Sequence, residues 1–305
     1  MDAIKIISQN VGQTVSRIIE NTDERLFENA REIRLFAGRP LRIVNGEEGF
    51  FIGRNGRKCE AGSAADRLSL REIRDTFAAL CKYSVHTFER EIREGFITIE
   101  GGIRVGICGT AVYENGKIIN IKDICALNIR IAREINGAAA EIAEKTGFGE
   151  QGGILVAGPP CSGKTTLLRD MARIFGNRGK SVCIVDERME IAGAYGGVPS
   201  FDVGECTAVL NGFYKSDGII SAVRSMAPDV IICDEFGGED EVAASLYAMK
   251  SGVTVAASMH CLDEHDLCSK DEFRVLTEKG VLRWAVLTGR GGKTKSIRKA
   301  EDMLK

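Results

Sequence analysis

Eight consecutive residues set the terms for this 305-residue chain. Gly158-Pro159-Pro160-Cys161-Ser162-Gly163-Lys164-Thr165 fits G-x-x-x-x-G-K-[ST]. An unbroken apolar run, Gly153–Gly158, precedes it, and Lys164–Gly176 follows with Leu167, Met171 and Phe175 on one helical face. Strand, glycine turn and helix form the setting in which main-chain N–H groups and a helix N-terminus surround phosphate oxygens. Lys164 is expected to bridge β- and γ-phosphates and Thr165 to coordinate Mg²⁺, with Gly158 through Thr166 lining the cradle. No N-K-x-D guanine-reading motif occurs, so the expected cofactors are ATP and Mg²⁺.

Such a cradle needs an acid that holds the metal and another that polarises water. Val230–Glu235 (VIICDE) supplies both at one strand end, Asp234 for the metal and Glu235 for the attacking water. Asp186-Glu187-Arg188 ends a second apolar run and His260 a third. In a parallel sheet these ends gather on one edge, within reach of the nucleotide. His260 is expected to sense the γ-phosphate. Arg224 either neutralises transition-state charge or pairs with an acid. The expected catalytic set is thus Lys164, Glu187, Arg224, Glu235 and His260.

The rhythm of the chain changes half-way. Residues 1–145 alternate short strands (Leu41–Val44, Gly49–Ile52, Phe96–Ile99, Ile103–Cys108) with helical patterns near 14–31 and 69–82. Glu114-Asn115-Gly116-Lys117 reads as a hairpin turn. This predicts an α+β docking or regulatory domain. Residues 146–305 alternate apolar runs with helices, which predicts an α/β P-loop ATPase domain with a parallel sheet, ending in a hairpin around Gly289–Thr294.

Composition narrows the partners. The 41 Lys+Arg and 43 Asp+Glu leave a net charge of −2, which offers no basic field for nucleic acid. No run is long enough for a membrane span, and the ten cysteines, scattered in apolar stretches, suit a reducing cytoplasm. The spacing of His260, Cys261, His265 and Cys268 matches no standard zinc pattern.

Gly158–Asp170, Val185–Gly193, Val223–Gly237 and Gly252–His260, with Glu32–Leu41, Gly95–Gly109 and Leu127–Glu134, resemble the stage III sporulation protein AA family, itself similar to type II and type IV secretion ATPases. The resemblance implies a RecA-like, cytoplasmic, hexameric ATPase. Its partners would be membrane-bound proteins of a sporulation channel between mother cell and forespore. It also implies an acidic-box role for Glu187 and Arg188, and nucleotide contacts from Arg104, Arg130 and Arg133. Cys206, Ala208 and Asn211 depart from the family pattern, where an arginine and acids are usual. The alternatives are a DNA translocase, an ATP-binding scaffold ring with weak hydrolysis, and a small-molecule kinase with a lid at 189–211.

Overall fold

The computed structural model describes residues 3–46, 48–131, 134–147 and 152–305. The chain divides into two compact units, Met1–Arg133 and Glu134–Lys305, each built on a seven-stranded sheet.

In the first unit α1 (Ala3–Asn10) and α2 (Gln13–Glu20) precede β1 (Glu32–Phe36), β2 (Leu41–Asn45), β3 (Glu48–Ile52) and β4 (Lys58–Cys59). Helices α3 (Leu70–Leu80) and α4 (Glu89–Arg93) lead to β5 (Phe96–Ile99), β6 (Ile103–Glu114) and β7 (Lys117–Arg130). The strands pair antiparallel in the order β4-β3-β2-β1-β7-β6-β5. Side chains alternate between the two faces. Ile33, Leu35, Ile43, Val105, Leu127 and Ile129 are buried on one face, where α3 and α4 pack against β7. The other face carries Glu32, Arg34, Arg42, Arg104, Asn128 and Arg130, joined across the strands in register. The β6–β7 turn has positive φ at both Asn115 and Gly116, as a two-residue hairpin with right-handed strand twist requires.

The helix expected near 14–31 stops at Glu20. Asn21 closes onto Arg17, the Thr22 hydroxyl bonds the Ile18 carbonyl, and Asp23 caps a separate 3₁₀ turn, Glu24–Leu26. The turn residues outcompete the continuing periodicity. By contrast α3 begins where its capping box dictates, with Ser69 and Glu72 each satisfying the other's main-chain N–H.

The second unit opens with α5 (Ala140–Lys145) and β8 (Gly153–Gly158), then α6 (Lys164–Asn177), β9 (Val182–Asp186) and β10 (Thr207–Asn211). There follow α7 (Lys215–Ser225), β11 (Val230–Glu235), α8 (Glu239–Lys250) and β12 (Thr254–His260). The chain closes through α9 (Glu264–Ser269), α10 (Asp271–Glu278), β13 (Leu282–Thr288), β14 (Thr294–Lys299) and α11 (Ala300–Met303). The order is β10-β9-β11-β12-β8-β13-β14, parallel throughout except for β14. Both faces are covered. Ile154, Val156, Ile184 and Ile232 face α5 and α6, while Leu155, Cys183, Val185 and Ile231 face the layer that includes α7, α8 and α10. That double burial explains the unbroken apolar strands. Strand β10, half-buried along its length, lies in a stretch whose sequence reads as irregular. Residues 138–143 pack with this second core.

All ten cysteines are free thiols. Burial pushes Cys81, Cys183 and Cys261 up to about 11, so these behave as small apolar side chains.

Candidate functional site

Four parallel strands end on the same edge: β8 at Gly158, β9 at Asp186, β11 at Glu235 and β12 at His260, the last in register with Gly158. The loop from Gly158 to Lys164 folds as a tight cradle. Cys161 and Gly163 have positive φ, 59° and 83°. A Cβ on Gly163 would meet Gly292 Cα at 2.9 Å, and one on Gly158 would collide with Thr288. The floor is tied by the Ser162 hydroxyl, 2.7 Å from the Thr288 hydroxyl, which donates in turn to the Ala157 carbonyl at 3.1 Å. Thr165 and Thr166 occupy the first turn of α6, half-buried.

Lys164 is almost wholly buried. Its ammonium donates to the carbonyls of Gly158 (2.9 Å) and Pro159 (3.0 Å) and lies 2.9 Å from His260 Nδ1. Burial lowers its pKa, with Glu235 pulling the other way. An ammonium only donates, so Nδ1 accepts and the ring proton sits on Nε2, 3.4 Å from Glu235 Oε1. Arg188 faces the other oxygen of Glu235 at 3.5 Å. Lys164, His260, Glu235 and Arg188 thus form one chain of contacts.

Asp234 is buried at the end of β11, and among the described residues neither carboxylate oxygen finds a hydrogen bond of good geometry. Burial raises its pKa to about 6, against the opposing pull of Lys215, whose Nζ lies 3.0 Å from Oδ1. A buried carboxylate with no well-aligned donor on either oxygen, at a strand end beside the glycine-bounded loop, fits an acid that would hold a hydrated cation, with the Thr165 hydroxyl on the first turn of α6 as the accompanying protein group. Glu187 stands 3.7 Å from the same Lys215. For Lys215, burial works against the charge, but Asp234 and Glu241 outweigh it and raise the pKa.

Other expected residues lie elsewhere. Arg224 is near the far end of α7, exposed, with its guanidinium 6.0 Å from the centroid of the Tyr247 ring. Helix α7 starts at the strand ends with Lys215 and runs away from them, so about 13 Å of helix rise separates the two residues. Arg104 stacks at 3.6 Å over Phe96, and Arg130, its cross-strand partner, pairs with Glu32 at 3.8 Å; both belong to the first unit. Arg133 lies outside the described residues. Asp186 is fully buried and accepts from the N–H groups of Glu190, Ile191 and Ala192, which makes it an anchor for the following loop. Cys206 is exposed just before β10, while Ala208 and Asn211 lie on that strand. Among the described residues no group of three or more His, Cys, Asp or Glu side chains is arranged to hold a metal, the His260–Cys268 run included.

A profile of the family described as Sporulation stage III, protein AA, matches residues 1–302. The chain belongs to this family. Over 278 residues it is 32% identical to the stage III sporulation protein AA of Bacillus subtilis, covering 90% of this chain and 87% of that protein. Two solved structures share the fold at 17% identity. The pilus retraction motor PilT with bound ADP aligns at a TM-score of 0.58 over 97% of this chain and 81% of its own. The Legionella pneumophila ATPase DotB aligns at 0.54, over 87% and 73%. The architecture is a RecA-like P-loop core preceded by a smaller α+β region. In this sporulation family member, sequence reasoning missed Lys215 and Thr288. A lysine opening a helix reads as a solvated charge, and a threonine 126 residues from Ser162 carries no local signal.

Proposed function

We propose that this chain is a Mg²⁺-dependent ATPase, the cytoplasmic motor of a sporulation-associated, secretion-like channel complex between mother cell and forespore, working as a hexameric ring. The observation that carries the reading is the chain of contacts Lys164–His260–Glu235 at the mouth of a glycine-bounded cradle. Family membership and the printed activities of the fold relatives support it, as does the absence of any described helix long and apolar enough to cross a membrane.

In this reading Gly158 through Thr166 hold the phosphates, and Lys164 exchanges its carbonyl and imidazole partners for β- and γ-phosphate oxygens. Thr165 and Asp234 would hold Mg²⁺, which would supply charge neutralisation for the phosphate oxygens. Glu235 orients the attacking water, kept in place by His260 Nε2–H and Arg188 on either side. His260, released at Nδ1 when Lys164 moves, reports that the γ-phosphate has arrived. Glu187 belongs to the acidic surround. Arg224, remote from the cradle of its own chain, contributes only if it meets a neighbouring copy. Arg104, Arg130 and Arg133 stay nucleotide-contacting candidates on the family resemblance alone.

Two variants test the assignments. Lys164→Ala is expected to weaken ATP binding by about two orders of magnitude; Glu235→Gln is expected to bind ATP normally and lose about 10²- to 10⁴-fold in turnover. Wild-type hydrolysis by Glu235→Gln would remove that residue from the role. Tight binding without turnover in the wild-type chain would move the reading to a scaffold ring. Stimulation of hydrolysis by DNA would move it to a translocase.

A further inference from the structure

Lys215 is the first residue of α7 and nearly all of it is buried. Its single nitrogen faces groups from three other parts of the second unit. Asp234 Oδ1 lies 3.0 Å away, Glu241 Oε1 3.2 Å and Glu187 Oε2 3.7 Å, and Lys215 also donates to the main-chain carbonyl of Glu235. Three carboxylates around one point repel strongly in a half-dry site unless a cation sits between them. Glu241 extends the tie, because its second oxygen accepts the Gly237 N–H at 2.7 Å. The strand end bearing Asp234 and Glu235 is therefore held on both sides of Phe236, by the carbonyl of Glu235 and the N–H of Gly237. A compact ammonium with three donors suits this task better than a planar guanidinium.

We infer that Lys215 is a positioning residue of this site, an internal cation that gathers Asp234, Glu187 and Glu241, fixes the backbone of Glu235, and keeps free divalent ions out of the acids until nucleotide enters. The inference rests on the ATPase reading and adds a residue to it. Lys215 acts through the acids and the main-chain carbonyl it holds. Charge and shape are separable here. Neutralising Lys215 leaves the charge of three neighbouring carboxylates uncompensated and free to close on a divalent ion that their present arrangement does not hold, whereas arginine preserves the charge and disturbs the backbone clamp.

The test uses the full-length chain, with Mn²⁺ alone as the probe, read by loss of its free paramagnetic resonance signal, then Mn²⁺ with ATP, read by equilibrium dialysis as metal retained with the protein against the same mixture without it. Wild type is expected to take up Mn²⁺ only when ATP is present. Lys215→Met is expected to bind Mn²⁺ without ATP at least about tenfold more tightly than wild type, since one opposing charge has left the cluster. At saturating Mn²⁺ and ATP its kcat is expected to fall about tenfold or more, with KM for ATP within about threefold. Lys215→Arg is expected to exclude free Mn²⁺ as wild type does and still lose kcat. If Lys215→Met does not fold, Lys215→Gln, which keeps a donor for the Glu235 carbonyl, serves for the same Mn²⁺ titration. Neutral variants that match wild type in nucleotide-free Mn²⁺ uptake and in kcat would overturn the inference and leave the ATPase reading standing. A wild-type chain that takes up no Mn²⁺ with ATP would overturn both.

Discussion

The two seven-stranded sheets of this chain solve the same burial problem in opposite ways. The second is parallel except for β14 and helix-covered on both faces, so apolar residues fill its central strands and its polar chemistry gathers at the carboxyl edge, where Gly158, Asp234, Glu235 and His260 stand. The first is antiparallel and buries one face of each central strand, leaving Arg34, Arg42, Arg104 and Arg130 side by side on the other with Glu32 among them. A sheet buried twice offers function only its ends. A sheet buried once offers a face. Substitutions in the two sheets should therefore fail by different rules.

The largest effect is expected in the doubly covered sheet. Phe175 of α6 is fully buried in the layer that also holds Ile154, Val156 and Ile232. Phe175→Ala should cost about 3–5 kcal/mol, because the surrounding sheet and helices cannot collapse onto the cavity. Segment-resolved hydrogen exchange is the measurement. Protection should fall across β8, β9 and β11 together, and a loss confined to α6 would mean that the sheet does not share that core.

In the first sheet two adjacent residues on β1 should behave oppositely. Leu35 is fully buried and Arg34 half-exposed, its guanidinium 2.6 Å from Glu32. Leu35→Ala is expected to cost about 3 kcal/mol, and Arg34→Ala under about 1 kcal/mol, as exposed ion pairs do. Urea unfolding followed on the first unit compares them. Equal costs would mean that the arginine face is not an open one.

The same contrast explains what the sequence reveals and what it hides. Strands β8, β9 and β11 are legible because double burial writes them as unbroken apolar runs ending in acids or glycine. Strand β1, Glu32–Phe36, is short and half charged, and no strand is expected there from its residues alone. Helix α1 shows no acidic or basic capping signal at either end. The cradle, Asp234, Glu235 and His260 can be found from motif and strand ends because the parallel fold gathers strand ends. Lys215 and Thr288 cannot, since their roles arise only when distant segments meet. Arg224 illustrates the converse case. Its segment lies close before the acids in sequence, but the length of α7 carries it to the end of that helix away from Lys215 and the strand ends.

The smallest expected effect concerns the electrostatics of the first unit. Arg54 reaches both oxygens of Glu72 at 2.8 and 2.9 Å, while the Ser69 N–H and hydroxyl donate to the same carboxylate. The Arg54 bonds, with help from Ser69 and against some burial, lower the pKa of Glu72 from 4.5 to about 2. A carboxylate depressed on folding adds stability that is fully present above its ordinary pKa and is lost as pH falls through the folded value. Glu72→Gln should therefore cost about 1 kcal/mol at pH 7, a figure discounted because the pair is partly solvated. The gap between wild type and variant should hold down to about pH 4.5 and close toward pH 2, where wild-type Glu72 also takes a proton. Urea midpoints at several pH values decide it. A gap that stays constant into acid would assign the contribution to the geometry of the cap rather than to its charge, and the first sheet's helix would then owe its start to hydrogen bonding alone.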